Sequence, residues 1–443
     1  MLLQEIAVNR RVVTNAFWII SEKLIAVFGL IFVTSFVAKY VGPEIFGEIA
    51  FATSIFQITQ IVAQMGSDVI IYKRMSRNQQ SGIKITLTTT WFRLLIFAVL
   101  CIPFIAFTWW RLGEEGIYFV FACCLACLFT TLDVYNLFFD AKLESKKNTL
   151  INVIGLVVSL LCRWGIAWLE MDPVWLCVPI ILTGLIPFVL RRFLFHLEID
   201  RPTVVWRNQM RYAKYLFYSG MAFVISSISV ALYTRLSMMG LEFMEGHGTV
   251  GVFSVAATLA GAWSFVFNAF TTSAFPAIFS ENDEEEALNK TAKLNITVIA
   301  ISLPVFIVSF FFGRYFIDYF YGEKYEAAYI PLLIIFGSTM LSALGTVSGR
   351  FIAKYSGYAF LSKKTLLVLL TSIVLNFPLI WFYGICGAAI ATLLTELISL
   401  TVFNYFFRSG IVFRLHVRTF QINCLGFLNN KQVRINYNPG SGE

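Results

Sequence analysis

Residues 376–396 read NFPLIWFYGICGAAIATLLTE, from Asn376 to Glu396. An apolar run meets Pro378, is interrupted at Gly384, and restarts on Gly387-Ala388-Ala389. Two apolar segments joined by so short a turn fit an antiparallel helix pair. The proline removes a backbone donor near the end of the first helix, and Gly384 permits the reversal. The small residues let the second helix pack closely against its neighbours. Glu396 then falls inside an apolar helix, where water is scarce.

The rest of the chain repeats this character. Its 443 residues are 58% hydrophobic and 14% charged, and mean hydropathy is +0.75. A soluble domain carries roughly 25% charged residues, so this chain lacks the polar side chains to cover itself. Apolar runs of about 20 residues, enough to cross a bilayer as helices, are placed at roughly 13–40, 46–72, 85–110, 117–140, 149–169 and 175–195. A second set lies at roughly 215–241, 249–279, 294–313, 328–349, 365–383 and 387–407. Period-two alternation is missing, which sets a barrel aside. The fold class expected is an all-α integral membrane protein of twelve transmembrane helices in two six-helix lobes.

Lysine and arginine orient the chain. With both termini cytoplasmic, most of the 34 basic residues fall in inside segments, including Lys73, Arg74, Lys146, Lys147, Arg191, Arg192, Lys363 and Lys364; Lys39, Arg111, Arg314 and Lys324 fall outside. So uneven a partition sets orientation. It also accounts for the +8 net charge without a nucleic-acid partner. The expected divisions are an N-terminal lobe (1–197), a cytoplasmic linker (198–213), a C-terminal lobe (214–407) and a polar cytoplasmic tail (408–443). The first apolar run is too long, and too interrupted by Glu22 and Lys23, for a cleaved signal peptide. The lobes show a faint repeat. GPEIFGEIAFATSI from Gly42 matches GHGTVGVFSVAATL from Gly246 at one constant offset, aligning Gly47 with Gly251 and Ala52 with Ala256.

Ionisable groups at membrane depth cost roughly 2.5–3.5 kcal/mol each on insertion scales and face protein or an aqueous cavity. Here they are Lys23, Arg93, Arg163 and Arg235 among the cations, and Asp68, Asp133, Asp140 and Glu396 among the acids. Gln57, Gln60, Gln64 and Asp68 recur at helical spacing along the second span, and Asp133, Asn136 and Asp140 along the fourth. For any one residue a structural ion pair or interhelical hydrogen bond is as good a reading, but the two stripes together favour a water-accessible lumen. The cysteines of CCLAC (Cys123, Cys124, Cys127) read as small buried side chains rather than a metal or redox site.

Three segments carry a resemblance. The opening stretch, with Asn376, Gly384, Gly387, Ala388, Ala389, Ala391 and Thr392, resembles the eleventh-to-twelfth span pattern of Wzx-like polysaccharide (O-antigen) flippases. These belong to the multidrug/oligosaccharidyl-lipid/polysaccharide exporter superfamily. YVGPEIFGEIAFATS (Tyr40–Ser54) and YGEKYEAAYIPLLIIFGS (Tyr321–Ser338) resemble two further segments of that family. The tail after Phe407 departs from the family's usual ending, and no transport role is expected of it. The resemblance implies movement of undecaprenyl-pyrophosphate-linked oligosaccharide from the cytoplasmic to the periplasmic leaflet of a bacterial inner membrane. It also implies contact with membrane lipid and with other polysaccharide-assembly membrane proteins, and no cofactor. A pyrophosphate headgroup would need Lys23, Arg93, Arg163 or Arg235 along its route, arginine being suited to forked phosphate contacts. The four acids are candidates for ion coupling or for pairing those cations. No G-x-x-x-x-G-K-[ST] motif is present, which argues against an ATP-driven pump. A membrane polymerase or glycosyltransferase would be expected to carry a sizeable outside loop with catalytic groups. A multidrug exporter of the same superfamily is the remaining alternative, and intramembrane cations argue against a cavity for cationic drugs.

Overall fold

A computed structural model describes residues 2–112, 117–199 and 206–421. Parts of the expected linker (200–205) and tail (422–443) lie outside the described residues. The helices, in chain order, are α1 (Leu2–Gln64), α2 (Ser67–Arg77), α3 (Gln79–Leu112), α4 (Tyr118–Leu132), α5 (Asn136–Ala141), α6 (Ser145–Trp168) and α7 (Cys177–Glu198). There follow α8 (Trp206–Glu245), α9 (His247–Gly261), α10 (Ser264–Phe279), α11 (Glu284–Tyr321), α12 (Tyr329–Lys354) and α13 (Tyr358–Ile398). A further helix, α14, covers 411–421. Among the described residues there is no strand, and nine helical stretches are long and apolar enough to cross a membrane.

Exposure tells what surrounds these helices. Large apolar side chains such as Ile102, Phe193, Leu161 and Val374 stand 61–70% exposed on helix faces, the inverse of a soluble protein's surface. Exposed Trp110, Trp168, Trp175, Tyr315, Tyr319 and Trp381 lie beside helix ends, as side chains of a membrane–water boundary do.

Glycine breaks two of the longest helices. Gly42 has φ 78° inside α1, and Gly384 has φ 55° inside α13, a region that L-residues avoid. The turn at Gly384 is close. A Cβ on Gly387 would overlap the Leu379 carbonyl and lie 2.9 Å from the Ile380 nitrogen, so the second arm touches the first backbone to backbone. Two breaks were not legible. The second expected span (46–72) ends at Met65 and Gly66, both at positive φ, which turns Asp68 onto the separate helix α2. The fourth (117–140) breaks after Leu132, with Asp133 at the C-cap. The expected stripe of Asp133, Asn136 and Asp140 is therefore not carried on one continuous helix.

Contacts divide the chain into two compact units. The first comprises 1–258 and 315–328, the second 259–314 and 329–443. In the first unit, Ala52, Phe56, Phe97, Ala122 and Cys123 pack one core, and Ile71, Phe138, Phe139, Phe195 and Leu216 pack another. In the second, Phe336 stacks on Trp263 at 5.4 Å, and α12 packs along α13. The tail helix α14 buries Ile411, Val412, Leu415 and Thr419, and Arg418 Nε donates to Asn289 of α11 at 2.8 Å. His416 lies 3.1 Å from the Tyr405 hydroxyl and 3.3 Å from that of Ser348. Burial pushes its imidazole down to about 4, so it is neutral at physiological pH.

The repeat seen in the sequence has a geometric counterpart in the first unit. A Cβ on Gly47 would overlap the His247 carbonyl, with that carbon at 2.7 Å and the Gly251 nitrogen at 2.8 Å. A Cβ on Gly251 would overlap the Pro43 carbonyl, with its carbon at 2.9 Å and the Gly47 nitrogen at 3.1 Å. Pro43 and Gly47 precede His247 and Gly251 by the same offset. The two contacts are therefore images of one another about a local two-fold axis. The side-chain-free backbone is what makes so close a crossing feasible.

Candidate functional site

The sequence candidates fall into two groups. The first is a cavity of about 360 Å³ between the C-terminal end of α1, the start of α2 and the middle of α8. Its polar lining includes Gln64, Asp68, Ser227, Thr234 and Arg235. Arg235 Nη2 donates to Gln57 Oε1 of α1, fixing the guanidinium at the cavity edge. The break at Gly66 helps rather than harms, because Asp68, now on α2, still reaches the wall that Gln64 lines. Gln60 is half-buried on α1 and does not line this cavity. Arg235 Nη1 also donates to the Thr234 hydroxyl at 3.4 Å. An arginine with three donors to spare, flanked by amides, hydroxyls and one carboxylate, suits an anionic or hydroxyl-rich headgroup.

The second group is a packed polar network. Arg191, 5% exposed on α7, forms an ion pair through Nη1 with Asp133 Oδ2. Its Nε donates to Asn148 Oδ1 at 3.1 Å, and its Nη2 to Asn152 Oδ1. Asn148 Nδ2 donates to Asp140 Oδ1 at 2.8 Å and to the Asn136 carbonyl at 2.9 Å. Asn152 Nδ2 donates to Glu22 Oε1 at 2.9 Å, and Lys23 stands 3.7 Å from that oxygen with most of its side chain exposed. Asp133, Asn136 and Asp140 thus face partners across α4 to α7. Sequence reasoning placed Arg191 in a cytoplasmic loop and missed it, since it stands beside Arg192 at the end of an apolar run.

The remaining candidates stand apart. Arg93 is fully buried on α3. Its donors go to the Thr89 hydroxyl at 2.9 Å, the Thr90 hydroxyl at 3.3 Å and the Thr86 carbonyl at 3.4 Å, all on its own helix. Arg163 Nη2 lies 3.5 Å from the Thr183 hydroxyl. Glu396 is buried on α13, within electrostatic reach of Lys364. Among the described residues no group of three or more His, Cys, Asp or Glu side chains could hold a metal ion.

Stacked apolar helices with a polar cavity among them define a multi-pass helical membrane protein. Among solved structures, an inward-facing multidrug-resistance MATE transporter of the MOP superfamily shares the fold at a TM-score of 0.65 and 13% identity, covering 91% of this chain and 98% of that one. Lipid II flippase MurJ, in an inward closed conformation, gives 0.63 and 14% identity, covering 94% and 93%. The family is shown by sequence: residues 12–282 match the polysaccharide biosynthesis protein family, and the chain belongs to it. The resemblance to Wzx-like polysaccharide flippases stands with it. A putative O-antigen transporter of Escherichia coli K12 is 28% identical over 193 residues, 42% of this chain and 46% of that protein. A probable low-salt glycan biosynthesis flippase, Agl15, of Haloferax volcanii is 23% identical over 211 residues, 46% and 43%. The chain spans about half the length of the curated relatives it matches.

Proposed function

We propose that this chain is a flippase that moves undecaprenyl-pyrophosphate-linked O-antigen repeat units from the cytoplasmic to the periplasmic leaflet of a bacterial inner membrane. It does so by ion-coupled alternating access. The observation that carries this reading is the 360 Å³ cavity of the first unit, where Arg235 meets Gln57, Gln64 and Asp68. Arg235 takes the pyrophosphate and the amides and hydroxyls take sugar hydroxyls. An anion left unpaired at this depth would be prohibitive. The relatives named for glycan and O-antigen transport support the substrate class. A cation beside the cavity disfavours the multidrug-exporter reading, since a cationic drug would meet like charge.

Twelve spans remain the reading of the topology. Two of the nine apolar stretches, of 44 and 46 residues, are each about twice the length a bilayer needs at 1.5 Å per residue, and each is broken at a glycine. Counting α8 as well gives twelve, with both termini cytoplasmic, lobes at 1–197 and 214–407, a linker at 198–213 and a tail at 408–443. Single cysteines at Ser356 and Glu323, both exposed, check this. Glu323→Cys should react with an impermeant thiol reagent in intact spheroplasts, and Ser356→Cys only after lysis. The reverse pattern would overturn the orientation.

The function is tested by glycan display in a strain lacking its own flippase, with flipping in proteoliposomes as the direct assay. Arg235→Ala should reduce flipping at least tenfold with normal insertion. Arg235→Lys should restore part of it, because a point charge cannot fork. Parental flipping by Arg235→Ala would remove this cavity from the substrate path.

A further inference from the structure

The Gly47–Gly251 crossing borders a second cavity, of about 190 Å³, in the same compact unit. Phe51, Phe107 and Phe243 form much of its wall, and three ionisable groups line it: Glu48 of α1, Glu242 of α8 and His247 of α9. His247 Nδ1 lies 2.8 Å from the Glu242 carboxylate. Glu48 Oε1 is enclosed and has no hydrogen-bond partner among the described residues. His247 and Glu242 balance each other when the imidazole is charged, which leaves Glu48 as the surplus acid. The groups facing these three are Cys123 of α4 and Cys177 of α7 toward Glu48, and Glu44 of α1 toward His247. Arg163 of α6 faces Cys123 in turn, and none of the groups facing Glu48 directly is a second cation.

We infer that Glu48 is a proton-binding site that governs closure of the Gly47–Gly251 crossing, with Glu242 and His247 as its fixed ion pair. Closed, the crossing holds the Glu48 carboxyl against aromatic walls, where an ionised oxygen without a donor is costly. Taking a proton from hydronium forms an O–H bond on Glu48, releases water and removes that cost. Parting the two glycine segments admits water and makes the ionised form acceptable. The closed state therefore binds one proton more than the open state, and acid favours closure.

The use of this site rests on the flippase reading, in whose orientation the crossing lies at the outer end. A proton taken from outside then closes the emptied carrier for its return. Asp133 Oδ1, like Glu48 Oε1, lacks a hydrogen-bond partner among the described residues. Asp133, however, has the Arg191 guanidinium as its own ion-pair partner, whereas the cation near Glu48, His247, is shared with Glu242. The surplus acid is therefore here rather than in that network.

The test uses spin labels on cysteines at Lys39 and Glu245, both exposed, in an otherwise cysteine-less chain in nanodiscs without substrate. Between about pH 3.5 and pH 8, a range bracketing carboxylate and histidine titration, the short-distance population should grow as pH falls. A single proton changes the closed-to-open ratio by at most about tenfold per pH unit. Glu48→Gln, which mimics the protonated acid, should remain short at every pH. A parental distribution that ignores pH overturns the site, as does Glu48→Gln titrating like the parent, or a response to sodium at constant pH in place of protons. A parent that titrates as expected yet never flips a lipid-linked glycan upholds the proton site and overturns the flippase reading.

Discussion

Asp133→Ala leaves Arg191 as an uncompensated cation between packed helices, and the loss is expected to be about 3–5 kcal/mol, the cost of breaking a buried ion pair from one side. Asp133 is 8% exposed and Arg191 5%, so solvent cannot replace the lost partner. Asn148 and Asn152 would keep their hydrogen bonds to the guanidinium, but amides carry no charge. The expected result is a large fall in melting temperature in detergent and a fall in the amount inserted. Replacing both partners together, Asp133→Leu with Arg191→Met, should recover most of the stability, since an apolar pair of similar volume costs little where an orphaned charge costs much. Asp133→Ala melting like the parent would show that the pair holds nothing together. The same double variant separates two roles for Asp133. If it flips substrate and still responds to an imposed pH gradient, the residue is a structural partner. If the response alone disappears, Asp133 carries the coupling proton.

What the sequence disclosed follows from which interactions are local. Long apolar runs dictate helices, and positive-φ glycines such as Gly42 and Gly384 announce their breaks because few other residues tolerate that backbone. The polar stripe on α1 was legible because helical spacing fixes which side chains share a face, and Gln57, Gln64 and Asp68 do gather near Arg235. Spacing says nothing about which helix stands opposite. Arg191 was therefore read as one more loop cation, although it sits in register with Asp133, Asn148 and Asn152. The break at Met65 escaped for a related reason: a methionine at positive φ is held there by its surroundings, and nothing in its own chemistry signals it. Glu48 and His247 lie inside the matching glycine segments, but those segments carried meaning only as a repeat. The ionisable side chains became meaningful only once the crossing brought α1 and α9 together.

That crossing carries the other large expected effect. Gly47→Val sets a branched side chain where the His247 carbonyl carbon lies at 2.7 Å and the Gly251 nitrogen at 2.8 Å from a bare Cβ. Overpacking costs about 1–3 kcal/mol when side chains can give way. Here the obstructing atoms are backbone, so α1 and α9 must part. Flipping should fall to background while the protein still inserts, and the short-distance population at the outer end should disappear at all pH values. Gly251→Val should behave alike, because Pro43 and Gly47 obstruct it in the mirror sense. Gly345→Ala is the control, since nothing lies within 4 Å of a Cβ there, and it should flip as the parent does. The two crossing variants combined should cost little more than either alone: once one side chain has separated the helices, the second meets no obstruction. Additive losses would mean that each glycine serves a different contact. Parental flipping by Gly47→Val would mean that the crossing need not close at all, and the alternating-access reading of this end of the molecule would fall with it.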